Sequence, residues 1–442
     1  MAIVRNGRQS AKRSAPPTTL DLHIESLSHE AQGVARHDGK VVFVPKALPG
    51  EAVKVKIQKQ QRHFSQAQLL EITQTSEHRV TPQCPHFERC GACQIQHLAT
   101  DDQLPYKQAN LHQQLMRQLK LDDIPWQASI TSAGFGYRRR ARLGVRYRKQ
   151  QDEIIIGFRE EANKHLAAID ACPVLEPNLS DIIDPMAKCI GQLQGKAVIT
   201  QLELIACDQG AVAVLRHIKA LNHSDKATLK DWAESHGCQL YLEGNDVIEC
   251  LHPSDKTPLS YQVAGLTLEF EVKDFIQGNK AVNESMVDLA RQWLAIKPEE
   301  TVLDLFAGIG NFSLPLAKDA KHVLAVEGVK EMVHRITHNV NKHQIRNIDA
   351  MALNLADEEL LFKLPKTDVI LLDPPRTGAA ELMPWLSQQR SRILYVACEP
   401  SSLVRDAKPL LDAGFRMDKI SVMDMFPQTK HVETMALFVR DK

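Results

Sequence analysis

The sequence predicts a doubly wound α/β domain in the last third of the chain, preceded by a cysteine-bearing α+β region and a small N-terminal β-barrel. Three observations predict this. From about residue 285 apolar strands alternate with helices, the rhythm of a parallel sheet covered on both faces. Residues Thr18 to about Thr75 instead show short alternating runs broken by turns, which fits an antiparallel barrel. Between them stand Cys84, Cys90 and Cys93 in a Cys-x5-Cys-x2-Cys pattern.

The chain of 442 residues is too long for one ordinary domain, and 43% hydrophobic residues suffice for large cores. Formal net charge is zero, but residues 1–150 hold 23 Lys and Arg against 12 Asp and Glu, a balance of +11 that leaves −11 on the rest. A basic front and an acidic back fit a nucleic acid gripped at one end. Met1 to Pro17 read as a flexible basic tail without the apolar core of a signal peptide. No run of about 18 apolar residues exists, so no membrane span and a cytoplasmic location are expected. The nine cysteines there would be reduced, metal-bound or catalytic.

In the barrel, Leu20, Leu22 and Ile24 alternate with polar residues, His37 to Lys40 turn, Val41 to Val44 form a strand, Pro49-Gly50 turn, and Val53, Val55 and Ile57 alternate again. Lys54, Lys56, Lys59 and Arg62 fall on or near one exposed face. Residues 101–121 read as a helix with Leu111, Leu115, Met116 and Leu119 on one stripe. Tyr137 to Lys149 hold six arginines and one lysine, with Arg140-x-Arg142 and Arg146-x-Arg148 spaced for one exposed strand face. Arginines there contact phosphates, and the interleaved Tyr137 and Tyr147 stack on unpaired bases. Strand-like runs with a few helical ones, including Ala197–Ile205 and Ala211–His217, continue to about Leu268, and residues 180–268 carry no clear catalytic motif. Then follow helix 283–296, strand 301–305, a glycine turn, helix 311–318, strand 322–326, helix 329–342, strands 368–372 and 392–397, helix 401–412 and strand 433–440.

Four strand ends carry the chemistry. Val302 to Phe312 run from an apolar strand into Gly308-Ile309-Gly310, where glycine lets the backbone approach a ligand closely. Twenty-three residues after Asp304, Glu327 ends the next strand, placed to take both hydroxyls of a ribose. Asp373-Pro374-Pro375-Arg376 ends the next buried strand, the prolines stiffening the turn around Asp373. Cys398 ends the strand Ile393 to Ala397, where a catalytic group belongs, and His431 or Glu433 at the entry to the final strand supplies a candidate base.

The acidic-start Asp-x-Phe-x-Gly-x-Gly turn resembles the first motif of class I methyltransferases. Phe275 to Asn279, Asp304 to Phe312, Asp373 to Gly378, Tyr395 to Asp406 and His431-Val432-Glu433 stand in the order seen in the RNA uracil-5-methyltransferases, and the chain resembles that family over nearly its whole length. The resemblance implies a Rossmann-like class I methyltransferase domain over 273–442, an OB-like TRAM barrel over 18–76 and a central iron–sulfur and RNA-binding domain over 77–272, whose helix 101–121 packs on the catalytic domain. It implies Cys398 as nucleophile, Glu433 as proton-abstracting base, and Gln277, Phe306, Asn311, Glu327, Asn354 and Asp373 as holders of S-adenosylmethionine. Ala307 and Ala397 depart from the residues many members carry there, Cys and Ser, without removing an obvious chemical group.

The chemistry agrees with a cysteine. Carbon 5 of uracil is too weak a nucleophile to take a methyl group unaided. A thiolate adding at carbon 6 makes carbon 5 enolate-like, and a base must then remove the carbon-5 proton before the thiolate leaves. Cys84, Cys90 and Cys93 resemble the iron–sulfur ligands of the 23S rRNA branch, with Cys172 as fourth. Spacing alone fits [4Fe-4S] or zinc, and the resemblance implies [4Fe-4S]. Cys189, Cys207, Cys238 and Cys250 fit ordinary core positions. The expected substrate is 23S rRNA, its target uridine in a looped or unpaired segment (uridine 1939 by the family's site), met by a monomer without a membrane partner. Two other readings stay open: an RNA-binding or chaperone protein on a methylase scaffold, and a cytosine-5 RNA methylase.

Overall fold

In the N-terminal part, β-branched residues alternating with polar ones build a six-stranded sheet from β1 (Thr19–His23), β2 (Ser26–Leu27), β3 (Gln32–His37), β4 (Lys40–Pro45), β5 (Ala52–Gln60) and β6 (Phe64–Gln74), ordered β1-β5-β6-β4-β3-β2. The computed structural model describes residues 19–121, 123–161, 163–245, 247–253 and 258–440, without the side chain of Glu358; the expected basic tail 1–17 lies outside them. Ile24 N donates to Glu51 O and Glu25 N to Val34 O, so the first strand passes from β5 to β3 and closes the barrel. Leu22, Ile24, Ala35, Val42, Val44, Val53 and Val55 fill it. The antiparallel barrel needs one correction: β4 and β6 pair in parallel, Val41 opposite Phe64. The turns at 46–51 and 61–63 each reverse the chain, so β6 runs in the direction of β4. Lys56, Lys59 and Arg62 are exposed and Lys54 half-buried.

The chain divides at Arg79 and Val80 into two compact units. The second holds a sheet of β7 (Arg140–Arg148), β8 (Glu153–Gly157), β9 (Ile199–Cys207), β10 (Gly210–His217), β11 (Gln239–Gly244) and β12 (Val247–His252), ordered β12-β11-β10-β9-β7-β8. The runs Ala197–Ile205 and Ala211–His217 are thus two antiparallel strands, β9 and β10. Helices Ile183–Gln192 and His223–Ser235 cover this sheet with Ile183, Met186, Leu229 and Trp232. A hairpin of β13 (Leu259–Val263) and β14 (Leu266–Phe270) follows.

The last sheet contains β15 (Thr301–Leu305), β16 (His322–Glu327), β17 (Ile348–Ala352), β18 (Val369–Leu372), β19 (Arg392–Ala397), β20 (Arg416–Met423) and β21 (Glu433–Val439), ordered β17-β16-β15-β18-β19-β21-β20. The first five are parallel; β21 enters antiparallel between β19 and β20. The winding reverses between β15 and β18, so the crevice beyond their carboxyl ends is where a ligand belongs. The helix expected over 311–318 is only Ser313–Leu316: the side chain of Asn347 takes the carbonyls of Ala317 at 2.8 Å and Ala320 at 2.9 Å and ends it. Helix Thr100–Leu119 buries Leu104, Leu111 and Leu115 in the same core as Leu403, Val404 and Ile420 of the last sheet and its helices. No helix among the described residues is long and apolar enough to cross a membrane.

Candidate active site

The glycine turn leaves β15 with Phe306 at φ 61°, Gly308 at 58° and Gly310 at 93°, all left-handed. At Gly310 the left-handed φ disfavours any side chain, and a Cβ would also come within 2.3 Å of Leu314 Cδ1. Glu327, at the end of β16, accepts from Gly308 N and from Val329 N, both at 3.0 Å. One carboxylate therefore ties the turn to the next loop at the mouth of the crevice. Asn354 lies exposed just beyond β17, where Leu353 N donates to Glu327 O at 3.0 Å, and its own Oδ1 caps Ala356 N at 3.1 Å. Behind the turn, Asp304 is buried and accepts from Ser313 Oγ; burial foremost pushes its carboxyl up to about 7.

Asn311 is held by residues the motifs did not single out. Its Nδ2 donates to Asn283 Oδ1 at 2.9 Å, and its Oδ1 accepts from Asn283 Nδ2 at 3.0 Å and from the Tyr261 hydroxyl at 2.9 Å. Asn283 sits in helix Lys280–Leu294 and Tyr261 in β13, so their polar ends are the signal: an Asn and a Tyr on otherwise apolar faces. Gln277 Nε2 reaches Asp373 Oδ2 at 3.3 Å, which bridges the Phe275–Asn279 motif and the Asp-Pro-Pro turn.

The other half of the crevice gathers the reactive groups. Ala397 of β19 pairs with Thr434 of β21, so Cys398 and Glu433 leave facing strands side by side. Burial, then the negative charge of Glu433 and Asp373, pushes the Cys398 thiol up to about 12, against Arg376. Burial and Asp373 push Glu433 up to about 8, again against Arg376, and burial takes Asp373 up to about 7. Burial and then Arg376 hold His431 down to about 4, so it is neutral at pH 7. The Asp373–Gly378 turn is pinned from below: Ser402 Oγ donates to Arg376 O at 2.6 Å, while Asp406 Oδ2 accepts from Ala379 N and from the Tyr395 hydroxyl, each at 2.7 Å. A thiol and two carboxyls, Glu433 and Asp373, set against the Arg376 guanidinium make a pocket that favours a cationic ligand.

Cys84, Cys90, Cys93 and Cys172 line one small apolar cavity with Phe87, Phe158 and Ile169. Burial raises all four thiols, Cys90 to about 11 and Cys93 to about 12. Among the described residues, no group of three or more His, Cys, Asp or Glu stands at metal-holding geometry, so the structure gathers these cysteines without closing them into a ligand shell. Cys189 and Cys238 are buried, and Cys207 and Cys250 half-buried.

The arginine stretch is the main correction. Arg142, Arg146 and Arg148 are exposed along β7. Arg140 instead turns in, to Glu203 Oε1 at 2.8 Å and Val272 O at 2.7 Å. Arg139 is 1% exposed, donates to Gln277 O at 2.6 Å and lies 4.5 Å over the Tyr261 ring. Tyr137 is also buried, its hydroxyl satisfied by Pro427 O at 2.9 Å, so it is not free to stack on a base. Tyr147 donates to Asp152 at 2.8 Å.

Residues 99–441 match the tRNA (Uracil-5-)-methyltransferase family and residues 15–70 the TRAM domain. A Shewanella sediminis protein named 23S rRNA (uracil(1939)-C(5))-methyltransferase RlmD is 42% identical over 435 residues, 98% of each chain. One of the same name from Pectobacterium carotovorum is 39% identical over 440 residues, 99% of this chain and 97% of that one. The solved tRNA (uracil-54, C5)-methyltransferase of Pyrococcus abyssi, in complex with S-adenosyl-L-homocysteine, matches at TM-score 0.72 and 21% identity over 95% of this chain and all of that one, which shows the fold. Fold, motif order and near-full-length sequence agreement show that this chain belongs to the RNA uracil-5-methyltransferase family, with a TRAM domain as its N-terminal barrel.

Proposed function

We propose that the protein methylates carbon 5 of a uridine in 23S rRNA, uridine 1939 in the numbering of its relatives, using S-adenosylmethionine. The observation that carries this is the pairing of Ala397 with Thr434, which sets Cys398 beside Glu433 next to Asp373. We assign Gln277, Phe306, Asn311, Glu327, Asn354 and Asp373 to the cofactor, Glu327 for the ribose hydroxyls and Asp373 near the reacting end; the Gly308–Glu327, Gln277–Asp373 and Tyr261–Asn311 hydrogen bonds support this reading. The cofactor supplies the methyl group on a sulfonium, a cation that this carboxyl-rich pocket suits.

Cys398 gives up its proton to solvent and its sulfur, as the thiolate, adds to carbon 6 of the uracil; the displaced electron pair makes carbon 5 nucleophilic towards the methyl group. Glu433 takes the carbon-5 proton, the ring double bond re-forms, and the Cys398 sulfur leaves. A carboxyl pushed up to about 8 is a stronger base than an ordinary glutamate and is matched to neutral pH. A cation seated beside Asp373 offsets the negative charge that, after burial, raises the Cys398 thiol, and so favours the thiolate in the filled site.

The four-cysteine cavity fits a resident [4Fe-4S] cluster, with zinc the other occupant its donors allow; four thiols, all raised by burial, converge on one apolar cavity. There it would cross-link the segment 84–93 to Cys172 and shape the RNA-facing side. We assign 18–76 to RNA binding, 77–272 to the cysteine-bearing domain and 273–442 to methyl transfer, in a monomeric cytoplasmic protein. The target uridine is unpaired or looped, because its base must leave the stack to reach Cys398. The test is transfer of labelled methyl from S-adenosylmethionine to unmodified 23S rRNA by enzyme purified without oxygen, with the product digested to nucleosides. Labelled 5-methyluridine supports the reading. Label in 5-methylcytidine, or none with cofactor bound, overturns it.

A further inference from the structure

The connection between β20 and β21, residues 424–432, leads into Glu433, and its conformation is fixed around one buried residue. Gln428 is 1% exposed and holds φ 68°, a left-handed conformation that residues with side chains disfavour and that persists only where surroundings impose it. The surroundings come from the segment just after Cys93. Gln428 N donates to Gln103 Oε1 at 2.8 Å, and Gln103 Nε2 donates back to Gln428 Oε1 at 2.9 Å. Gln428 Nε2 donates to Thr100 Oγ1 at 3.1 Å. Gln428 O accepts from Gln94 N at 3.0 Å and Ile95 N at 3.2 Å. Every polar atom of the residue is engaged, and Gln103 is itself fully buried, its Nε2 also reaching Ile95 O and Leu98 O. Beside this pair, Lys107 Nζ donates to Asp424 Oδ1 at 2.7 Å and to Phe426 O at 3.2 Å.

We infer that Gln428, locked by Gln103, is a positioning residue that holds Glu433 against the carbon-5 proton and keys the cysteine-bearing segment to the reaction pocket. The geometry allows no looser role. Gln94 and Ile95 follow Cys93 directly, and their amides grip the loop five residues before Glu433. Neither glutamine touches the pocket, so each acts through the loop. The inference rests on the proposed reading of Glu433 as the base.

The test compares full-length wild type, Gln428→Ala, Gln428→Gly and Glu433→Gln on 23S rRNA, measuring kcat, the KM for S-adenosylmethionine and the methylated protein–RNA adduct. Glycine takes φ 68° freely, so Gln428→Gly removes the two side-chain bonds, from Gln103 Nε2 and to Thr100 Oγ1, without a backbone penalty. With the side-chain half of the lock gone, both Gln428 variants lose roughly tenfold to hundredfold in kcat, keep the KM, and accumulate the methylated adduct, because proton removal has become slow. A fold defect would instead lower the active fraction without adduct. Wild-type kcat in Gln428→Gly, or loss without adduct in both variants, overturns the inference. If Glu433→Gln itself forms no adduct, the base assignment falls first and the positioning role with it.

Discussion

The two halves of the crevice treat their carboxylates in opposite ways. On the glycine-turn side, Glu327 stands at the rim and takes two backbone amides, at 3.0 Å each. On the reaction side, Glu433 is buried beside Asp373 and Cys398, and burial and like charge hold its proton on. A carboxylate supplied with donors is a holder, whose charge is neutralised in advance. One deprived of solvent and set near other acids is a reagent, whose proton moves near neutral pH. The same sheet edge builds both, by placing one at a strand end next to an amide-rich turn and the other inside a strand pair.

Four substitutions break or sharpen that contrast. Removing the nucleophile has the largest effect: Cys398→Ala loses more than about 10⁴-fold in methyl transfer and forms no adduct on denaturing gels, while cofactor binding by calorimetry is kept. Next, Glu433→Gln loses roughly 10²- to 10⁴-fold in product release and traps the adduct. Its pH profile carries the sign. A base pushed up to about 8 is mostly protonated below that pH, so the wild-type elimination rate climbs as pH rises towards 8 and levels off above it. Glu433→Gln flattens that climb; a wild-type rate independent of pH between 6 and 9 would contradict the assignment. On the holding side the losses are smaller and fall on binding: Tyr261→Phe removes one donor from Asn311 and raises the KM for S-adenosylmethionine about tenfold with kcat nearly unchanged. Smallest is Arg146→Ala on the exposed face of β7, which weakens RNA binding a few-fold and lowers the salt slope by about one, measured by filter binding over a salt series.

The strand ends were legible because chemistry there follows from position: an apolar run, a break, then Gly308, Asp373 or Cys398 at the carboxyl edge. The barrel strands were legible from alternation, but not the parallel pairing of β4 with β6, since side-chain period carries no strand direction. Arg139, Arg140 and Tyr137 misled for a related reason. A dense basic run says that charge is present, and only the fold says that Arg140 meets Glu203 and that Arg139 supports Gln277. Tyr261, Asn283 and Gln428 were silent because their partners lie 50, 28 and 325 residues away along the chain.

The insertion of β21 between β19 and β20 sets an order in time. Cys398 is synthesised with β19, β20 follows, and only then does the strand bearing Glu433 emerge to fill the place between them. Until it does, β19 and β20 lack their shared neighbour, and, on the proposed roles, Cys398 has no group beside it to strip the proton from a methylated base. A chain caught at that stage could attach itself to RNA but not release it. The last strand in is therefore also the release catch, and an enzyme that bonds covalently to its substrate gains the ability to let go when its sheet is completed.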